Sequence, residues 1–159
     1  MAFQLRQDLV VHRVANMNHD FMDGNGASLF GGRWNSRGRR VIYTAEHLSL
    51  AMLEFLANAG RFELPVGFGR VEISIPAGAS AEKIPAGRYQ NTDRLSTASQ
   101  GDDWLARRLS LVLFVPSVVL GGLENNVLIN PLHPEFPSLV PSEPEPVYWD
   151  ERLFFPRQD

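Results

Sequence analysis

One segment of this chain has a strong helical period, and the segments around it have the patterns of β-strands. Between Thr44 and Gly60, apolar residues recur at intervals of three and four, which predicts a helix with one buried face. Thr44 suits the N-cap, Glu46 the first turn and Gly60 the C-terminal stop of this helix. Glu54 is the one carboxylate in its central turns, and a carboxylate among apolar neighbours needs a partner or a function.

Two longer segments carry the patterns of buried strands. Residues 68–75 alternate between apolar and polar side chains in their second half, as expected of a strand with one buried face. Residues 111–115 form a continuous apolar run that Pro116 ends, which predicts a strand buried on both faces. Further strands are predicted in three short segments rich in apolar, β-branched or aromatic residues: 39–43, 127–129 and 147–149.

The order of these elements predicts the fold class. A doubly wound sheet would need strands and helices in regular alternation, and this chain instead has a strand, a helix and then mostly strands. We therefore predict an α+β fold with a split or mixed β-sheet. Its length fits one hydrophobic core, so we expect a single domain over residues 1–159. Residues 77–103 are expected to be a long connection, with a short helix beginning at Asp102 or Asp103.

The composition excludes several kinds of site and of protein. The chain has no cysteine, which removes disulfide bonds, thiolate zinc sites and cysteine nucleophiles. Its 4 histidines are scattered without a chelating spacing, so no metal site is predicted. A membrane helix would need a run of about 20 apolar residues, which is absent, and no long apolar signal core is present, so we expect a cytoplasmic protein. The net charge of −3 argues against general attraction to nucleic acid.

Four positions combine a chemically useful side chain with a favourable place in the predicted fold. Arg33 follows two glycines, so its guanidinium could clamp a pyrophosphate. Tyr43 ends a strand, where its ring could stack on a flat ligand. Glu54 could steady a developing positive charge on a ribose, and Ser117 lies at a strand end, where sites often form. Each also has an ordinary explanation: an exposed arginine in a turn, a core tyrosine, a solvated or ion-paired glutamate, and a serine in a turn.

The joint order of these motifs resembles the RES domain, a family named for an arginine, a glutamate and a serine. The resemblance is carried by segments spread over most of the chain: 31–38 (GGRWNSRG), 41–46 (VIYTAE), 50–54 (LAMLE), 115–117 (VPS), 124–134 (ENNVLINPLHP) and 149–153 (WDERL). The resemblance implies that Glu54 and Ser117 are catalytic, with Glu46 as the alternative carboxylate.

It also implies three substrate-binding residues and an activity. Arg33, Tyr43 and Asn130 would bind NAD, which would be the substrate, and no cofactor would be needed. The fold would be similar to that of ADP-ribosyltransferases. The protein would be the toxin of a bacterial type II toxin–antitoxin pair, and it would cause growth arrest by cleaving the nicotinamide–ribose bond of NAD. Its partner would be an Xre-type helix-turn-helix antitoxin that covers the active site in a hetero-oligomer.

The resemblance leaves the acceptor of the ADP-ribose group open, and two functions of other classes remain. Water would make the enzyme a glycohydrolase, phosphate a phosphorylase, and a protein side chain an ADP-ribosyltransferase. An RNA-cleaving toxin could use Arg33, Arg37, Arg39 and Arg40 as a phosphate track, although the chain has no paired histidine or carboxylate metal cluster. A non-catalytic binding module is the third possibility, in which the cleft only docks a partner.

Overall fold

The computed structural model describes residues 1–60, 63–86 and 93–155. The strands in chain order are β1 (Phe3–Gln4), β2 (Leu9–Asn16), β3 (Ile42–Ala45), β4 (Phe68–Ile75), β5 (Ser80–Lys83), β6 (Val112–Pro116), β7 (Asn125–Ile129), β8 (Val140–Pro141) and β9 (Glu145–Pro146). The α-helices are α1 (Asn25–Phe30), α2 (Leu48–Ala59) and α3 (Arg94–Arg107), and short 3-10 helices lie at Phe136–Ser138 and Glu151–Leu153. No helix of the described residues is long and apolar enough to cross a membrane.

The strands form one mixed sheet in the order β1-β5-β6-β7-β3-β2-β4-β8, and β9 also pairs with β4. Strands β5 and β6 run parallel, whereas the other pairs in the described chain are antiparallel. The predicted α+β class with a mixed sheet is therefore confirmed. Strands β4 and β6 confirm the predictions for 68–75 and 111–115, and β7 contains the predicted 127–129. The strand predicted at 39–43 forms slightly later, as β3.

The sheet is weakly joined near its centre, between β2 and β3. These two strands share a single register pair, His12 with Ala45. By contrast, every residue of β2 from Leu9 to Asn16 pairs with β4. Beyond the single pair, Nη1 of Arg13 donates a hydrogen bond of 3.0 Å to the carbonyl oxygen of Tyr43. A side chain thus replaces the backbone ladder, and the sheet is split into two halves at this point.

Both faces of the sheet are covered, as the apolar run in β6 requires. The alternation of side chains along β7 separates the two layers, because Val127 and Ile129 belong to one core cluster and Leu128 to the other. Helix α3 covers the Leu128 face through Trp104 and Leu105. Helix α2 packs on β3 through a smaller cluster, in which Leu50 and Ala51 contact Ala45. Helices α2 and α3 therefore lie on the side of the sheet that carries Leu128 and Tyr43, its partner in β3.

A buried polar network ties α3 to β5. Nε1 of Trp104 donates to Oγ of Ser110 at 2.8 Å, and that hydroxyl donates to Oε2 of Glu82 at 2.7 Å. Both terminal nitrogens of Arg107 donate to Oε1 of Glu82 at 3.1 Å. Each polar group of the network is therefore paired, which is the condition for keeping a carboxylate that is only 8% exposed.

The helix predicted after Thr44 begins later than its period indicates. The hydroxyl of Thr44 lies within β3 and donates a hydrogen bond of 2.6 Å to the carbonyl oxygen of Val127. It is therefore not available to cap the helix, and α2 begins at Leu48, after His47. The prediction for the other end is confirmed, because Gly60 follows the last turn with a φ of 58°.

The prediction of a long connection over 77–103 is wrong, because β5 and most of α3 lie there. Helix α3 begins at Arg94 and not at Asp102 or Asp103, and the side chain of Asp93 caps it. Its first turns consist of polar and small residues without an apolar period, so no amphipathic pattern marks them. Capping and contacts with the rest of the protein hold them in place.

The strand predicted at 147–149 is also wrong. The pairing near this end of the chain is made instead by β8 and β9, which lie within the Pro-rich stretch 137–146 and flank β4. Proline is tolerated there because an edge strand leaves one row of backbone groups unpaired. Trp149 is buried without being in a strand, since its ring packs against Phe55 and Phe154.

We expect Gly101→Ala to destabilise the protein by about 3 kcal/mol, the upper end of the usual cost of overpacking. Gly101 lies in α3 against the backbone of Trp34, and a Cβ built there would overlap the carbonyl oxygen of Trp34. Gly26→Ala is the matched control, because Gly26 lies in α1 with nothing within 4 Å of an added Cβ. Urea denaturation measures both, and an equal, small effect of the two substitutions would contradict the close approach.

Candidate functional site

A cavity of about 190 Å³ lies where β2 and β3 part, bounded by α2. We call it the cleft. Its wall includes His12 and Arg13 of β2, Tyr43 of β3, Glu54 and Asn58 of α2, and Asn126 of β7. The split of the sheet thus opens a space that polar side chains from separate elements face.

Glu54 lies in this wall with its carboxylate held in one orientation. Its Oε1 accepts a hydrogen bond of 2.7 Å from Oγ of Ser117 and one of 2.6 Å from Nδ2 of Asn126. Its Oε2 accepts no hydrogen bond from the described residues. Hydrogen bonds from neutral donors to an ionised carboxylate are short and strong, so one oxygen is anchored and the other is left for a ligand.

Ser117 holds the carboxylate and is itself enclosed. It follows β6 directly, is 0% exposed, and donates its backbone N–H to the carbonyl oxygen of Glu124 at 2.9 Å. Its hydroxyl also accepts a hydrogen bond of 3.3 Å from the backbone N–H of Leu120. This hydroxyl donates a hydrogen bond to Glu54 and is not part of the cleft wall. It therefore holds the carboxylate from the protein side.

Asn126 belongs to the site but is not among the residues predicted from sequence. It lies directly opposite Ala45 in the register of β7 with β3, on the face that carries Leu128. The sequence signal that could have identified Asn126 is its position in β7, on the same face as the apolar Leu128. Such an amide needs a buried partner, and that partner is Glu54.

Tyr43 is fixed at the floor of the cleft by two hydrogen bonds. Its hydroxyl donates to Oδ1 of Asn35 at 2.6 Å and accepts from the backbone N–H of Trp34 at 3.1 Å. Burial raises the pKa of Tyr43 to about 12, against the opposing effects of the Trp34 hydrogen bond and the charge of Arg33. The phenol therefore stays protonated at neutral pH, and its ring is held in place.

Gly32 shows why the paired glycines are needed. A Cβ on Gly32 would lie 2.6 Å from the hydroxyl oxygen of Tyr43. The backbone at Gly32 therefore approaches the Tyr43 side chain closely. The next residue, Arg33, is followed by Trp34, whose backbone N–H donates to the same hydroxyl.

Helix α3 holds the segment that carries Arg33. Oγ1 of Thr97 donates to the carbonyl oxygen of Arg33 at 2.6 Å, and Oδ1 of Asp102 accepts from the backbone N–H of Ser36 at 2.9 Å. The side chain of Arg33 is half-buried, and its charge acts on Tyr43. Arg33 thus lies next to the cleft on the Tyr43 side, although it is not part of the cleft wall.

The structure does not bring Asn130 to these residues. Asn130 is 1% exposed, its Nδ2 donates to the carbonyl oxygen of Leu105 at 3.2 Å, and its Oδ1 accepts from the backbone N–H of Leu132 at 3.0 Å. It follows the far end of β7, about 13 Å of extended strand away from Asn126. Its amide is occupied in joining the end of β7 to α3.

Glu46 and Glu54 differ in their surroundings. Both carboxylate oxygens of Glu46 bind Asn125, with 3.1 Å to its backbone N–H and 3.2 Å to its Nδ2. Glu46 therefore anchors the start of β7 and is not part of the cleft wall. Of the two carboxylates, Glu54 is the one with an oxygen available at the cleft.

His12 and Arg13 lie in the cleft wall but are not among the predicted site residues. Burial lowers the pKa of His12, against the raising effect of Glu72, so the imidazole is neutral at pH 7. Its Nδ1 is buried without a hydrogen bond. Burial also lowers the pKa of Arg13, while the charge of Asp23 raises it. The one available signal is a histidine followed by an arginine in the middle of an otherwise apolar strand segment.

Among the described residues, no three His, Cys, Asp or Glu side chains come together in a way that would hold a metal ion. The chemistry that this site offers is that of an oriented carboxylate beside a fixed aromatic ring and an arginine.

Comparisons with known proteins identify the family of this chain. The family model described as the RES domain matches residues 10–150. "Toxin Res" of Photorhabdus laumondii is 35% identical over 121 residues, which cover 74% of this chain and 77% of that protein. The "Prs ADP-ribosylating toxin" of a Sphingobium species is 33% identical over 141 residues, which cover 84% and 87%.

The fold also matches a solved structure. A chain of the crystal structure of the M. tuberculosis MbcT–MbcA toxin–antitoxin complex superposes with a TM-score of 0.69 at 17% identity, over 91% of this chain and 86% of that chain. At this identity the superposition establishes the fold alone. The family follows from the matched domain model and from the relatives together: this chain belongs to the RES domain family.

Proposed function

We propose that this protein is the toxin of a toxin–antitoxin pair and that it cleaves the nicotinamide–ribose bond of NAD. The observation that carries the proposal is the Glu54 carboxylate, which Ser117 and Asn126 hold by one oxygen at a cleft floored by Tyr43. Membership of the RES family supports it, as does the naming of one relative as an ADP-ribosylating toxin. NAD is the substrate, no cofactor is required, and the reaction takes place in the cytoplasm.

The bond that breaks needs little acid catalysis, because the pyridinium of NAD is already a good leaving group. The electron pair of the C–N bond leaves with nicotinamide, and positive charge develops on the ribose carbon and ring oxygen. A carboxylate oriented before the reaction stabilises that charge without reorganisation. We assign this role to Glu54, whose free oxygen also suits a ribose hydroxyl.

The remaining site residues bind NAD or position Glu54. Tyr43 offers a fixed ring on which nicotinamide stacks, and Arg33 beside it clamps the pyrophosphate. Ser117 is a positioning residue, since its hydroxyl donates to Glu54 and is enclosed by protein. Asn130 is left outside this proposed site because its amide is occupied between Leu105 and Leu132.

The acceptor completes the reaction by bonding to the ribose carbon and losing a proton. Product analysis by mass spectrometry distinguishes the three acceptors: free ADP-ribose for water, ADP-ribose 1″-phosphate for inorganic phosphate, and a mass increase on a protein for ADP-ribosylation. The first two outcomes make the enzyme a glycohydrolase or a phosphorylase, which depletes NAD directly.

We also propose an antitoxin protein as the partner, of the Xre type that the resemblance implies. The fold similarity to a chain from a toxin–antitoxin complex supports an antitoxin. Co-expression with candidate helix-turn-helix antitoxins, followed by co-purification, tests this partner.

Glu54→Gln is expected to lower kcat for nicotinamide release by about a hundredfold or more, because it removes the charge that offsets the transition state. The Michaelis constant for NAD should change little. Glu46→Gln is the matched control, a carboxylate on the same segment whose oxygens bind Asn125, and it should keep most of the activity.

The same two variants test the function in cells. Brief expression of the wild type, or of Glu46→Gln, should lower cellular NAD and stop growth, whereas Glu54→Gln should do neither. Growth arrest with unchanged NAD would refute NAD depletion, and intact NAD with degraded RNA would favour the RNA-cleaving alternative. Toxicity that both substitutions leave untouched would favour a non-catalytic binding module.

Ser117→Ala is expected to lower kcat by about tenfold, because a hydrogen bond to a charged group is worth about 1.5–3 kcal/mol and the Asn126 bond remains. A role that operates through Glu54 makes the two substitutions non-additive. In the Glu54→Gln background, Ser117→Ala should therefore have little further effect on kcat. Full additivity in this double-mutant cycle would show that Ser117 acts independently of Glu54.

A further inference from the structure

A second cavity, of about 470 Å³, lies at the other end of β3 and β7 from the cleft. Its wall is made by the turn before β3, the end of α3 and the residues after β7. We call it the arginine pocket, after Arg39, Arg40 and Arg108. Register places it at that end, since β3 and β7 are antiparallel and Ile42 pairs with Ile129.

The arginine pocket concentrates positive charge in a chain whose net charge is −3. Its wall contains three arginines and no carboxylate. Within the described ranges, the side chains of Arg39, Arg40 and Arg108 make no ion pair or hydrogen bond. The neighbouring Arg107 is different, because it is paired with both Glu82 and Asp103. Three cations without counter-charges around one cavity repel one another, and an anion would relieve that repulsion.

Arg108 stands in a backbone conformation that does not favour an arginine. Its φ is 50°, and it is the one non-glycine residue with a positive φ in the described part of the chain. It follows the last residue of α3, a position at which glycine is unstrained. A strained residue whose side chain lines a charged cavity is a reason to look for a ligand there.

The remaining wall limits what that ligand can be. Leu105, Ala106 and Leu132 give the pocket an apolar side, which suits a flat ring next to the charged group. Guanidinium groups bind phosphate oxygens in pairs, and a diphosphate carries enough negative charge to balance three arginines. The volume of about 470 Å³ falls within the usual range for small-molecule sites, about 300–1,000 Å³.

We propose that the arginine pocket is a second ligand site, separate from the cleft, that binds a nucleoside diphosphate. The wall is built from three chain segments around one concave space, which favours a small molecule over a nucleic-acid strand, because a strand needs a continuous groove. The proposal does not depend on the activity of the cleft, since the two share no residue. A bound nucleotide would join the end of α3 to the end of β7.

Isothermal titration of the full chain with ADP tests the proposal. The wild type should bind ADP, and Arg39→Gln/Arg108→Gln should weaken binding by about tenfold or more, because charge-assisted hydrogen bonds are lost. Arg6→Gln is the matched control, an exposed arginine outside the pocket, and it should leave the affinity unchanged. Arg33→Gln, next to the cleft, should affect only ADP bound in the cleft, and the binding component that the double variant loses should remain.

Three results would overturn the proposal: no binding of ADP by the wild type at millimolar concentration, loss of binding in Arg33→Gln with retention in the double variant, or tighter binding of single-stranded RNA at the same arginines. The second places the nucleotide in the cleft, and the third assigns the surface to nucleic acid. Arg40→Gln, at an exposed position, serves as a second variant if the double variant does not fold, as judged by circular dichroism.

Discussion

The incomplete pairing of β2 with β3 is the constraint from which the site follows. A continuous ladder would close the sheet, and α2 would then lie on an unbroken surface. Here one register pair joins the two strands, and the Arg13 side chain donates a hydrogen bond to the carbonyl oxygen of Tyr43 in place of a backbone N–H. The opening leaves a cavity bounded by α2 on one side and by strand residues on the other. The half of the sheet beyond β2 is held by full pairing with β4, so the split does not loosen the rest of the fold.

The carboxylate and the phenol at the cleft are each held by contacts from other parts of the fold. Glu54 of α2 is bound by Ser117, which follows β6, and by Asn126 of β7. Tyr43 of β3 is bound by Asn35. Such pre-positioning is what lets a carboxylate stabilise developing charge without reorganisation. It also explains why distant parts of the chain must be folded before any of these residues has a defined role.

Strand β7 connects the two cavities, and the asparagines Asn126 within it and Asn130 just after it have different roles. Asn126 supports the carboxylate at one end, whereas Asn130, just past the other end, joins the strand to α3 beneath the arginine pocket. Helix α3 in turn supports the Arg33 segment through Thr97. The cleft and the arginine pocket are thus built on the same two elements while remaining separate cavities.

The sequence by itself determined the elements with strong periods and the residues with local signatures. The helix ending at Gly60, the strand over 68–75 and the buried run ending at Pro116 were predictable because hydrophobic periodicity is a local property. Glu54 was predicted as a site residue because the sequence motifs around it resemble those of the RES family. The start of α3 was not predictable, since its polar first turns have no period, and neither was the loss of Thr44 as a cap.

Only the tertiary structure decided which side chains meet. Asn126 binds Glu54 at the cleft, whereas Asn130 lies at the other end of β7 and binds Leu105. Glu46 accepts hydrogen bonds from Asn125 instead of facing the cleft. The arginine pocket likewise brings Arg40 and Arg108 together across a long stretch of chain. The physical reason is that these contacts depend on strand register and on the split in the sheet. Register is set by long-range pairing, and a local pattern of residue types does not contain it.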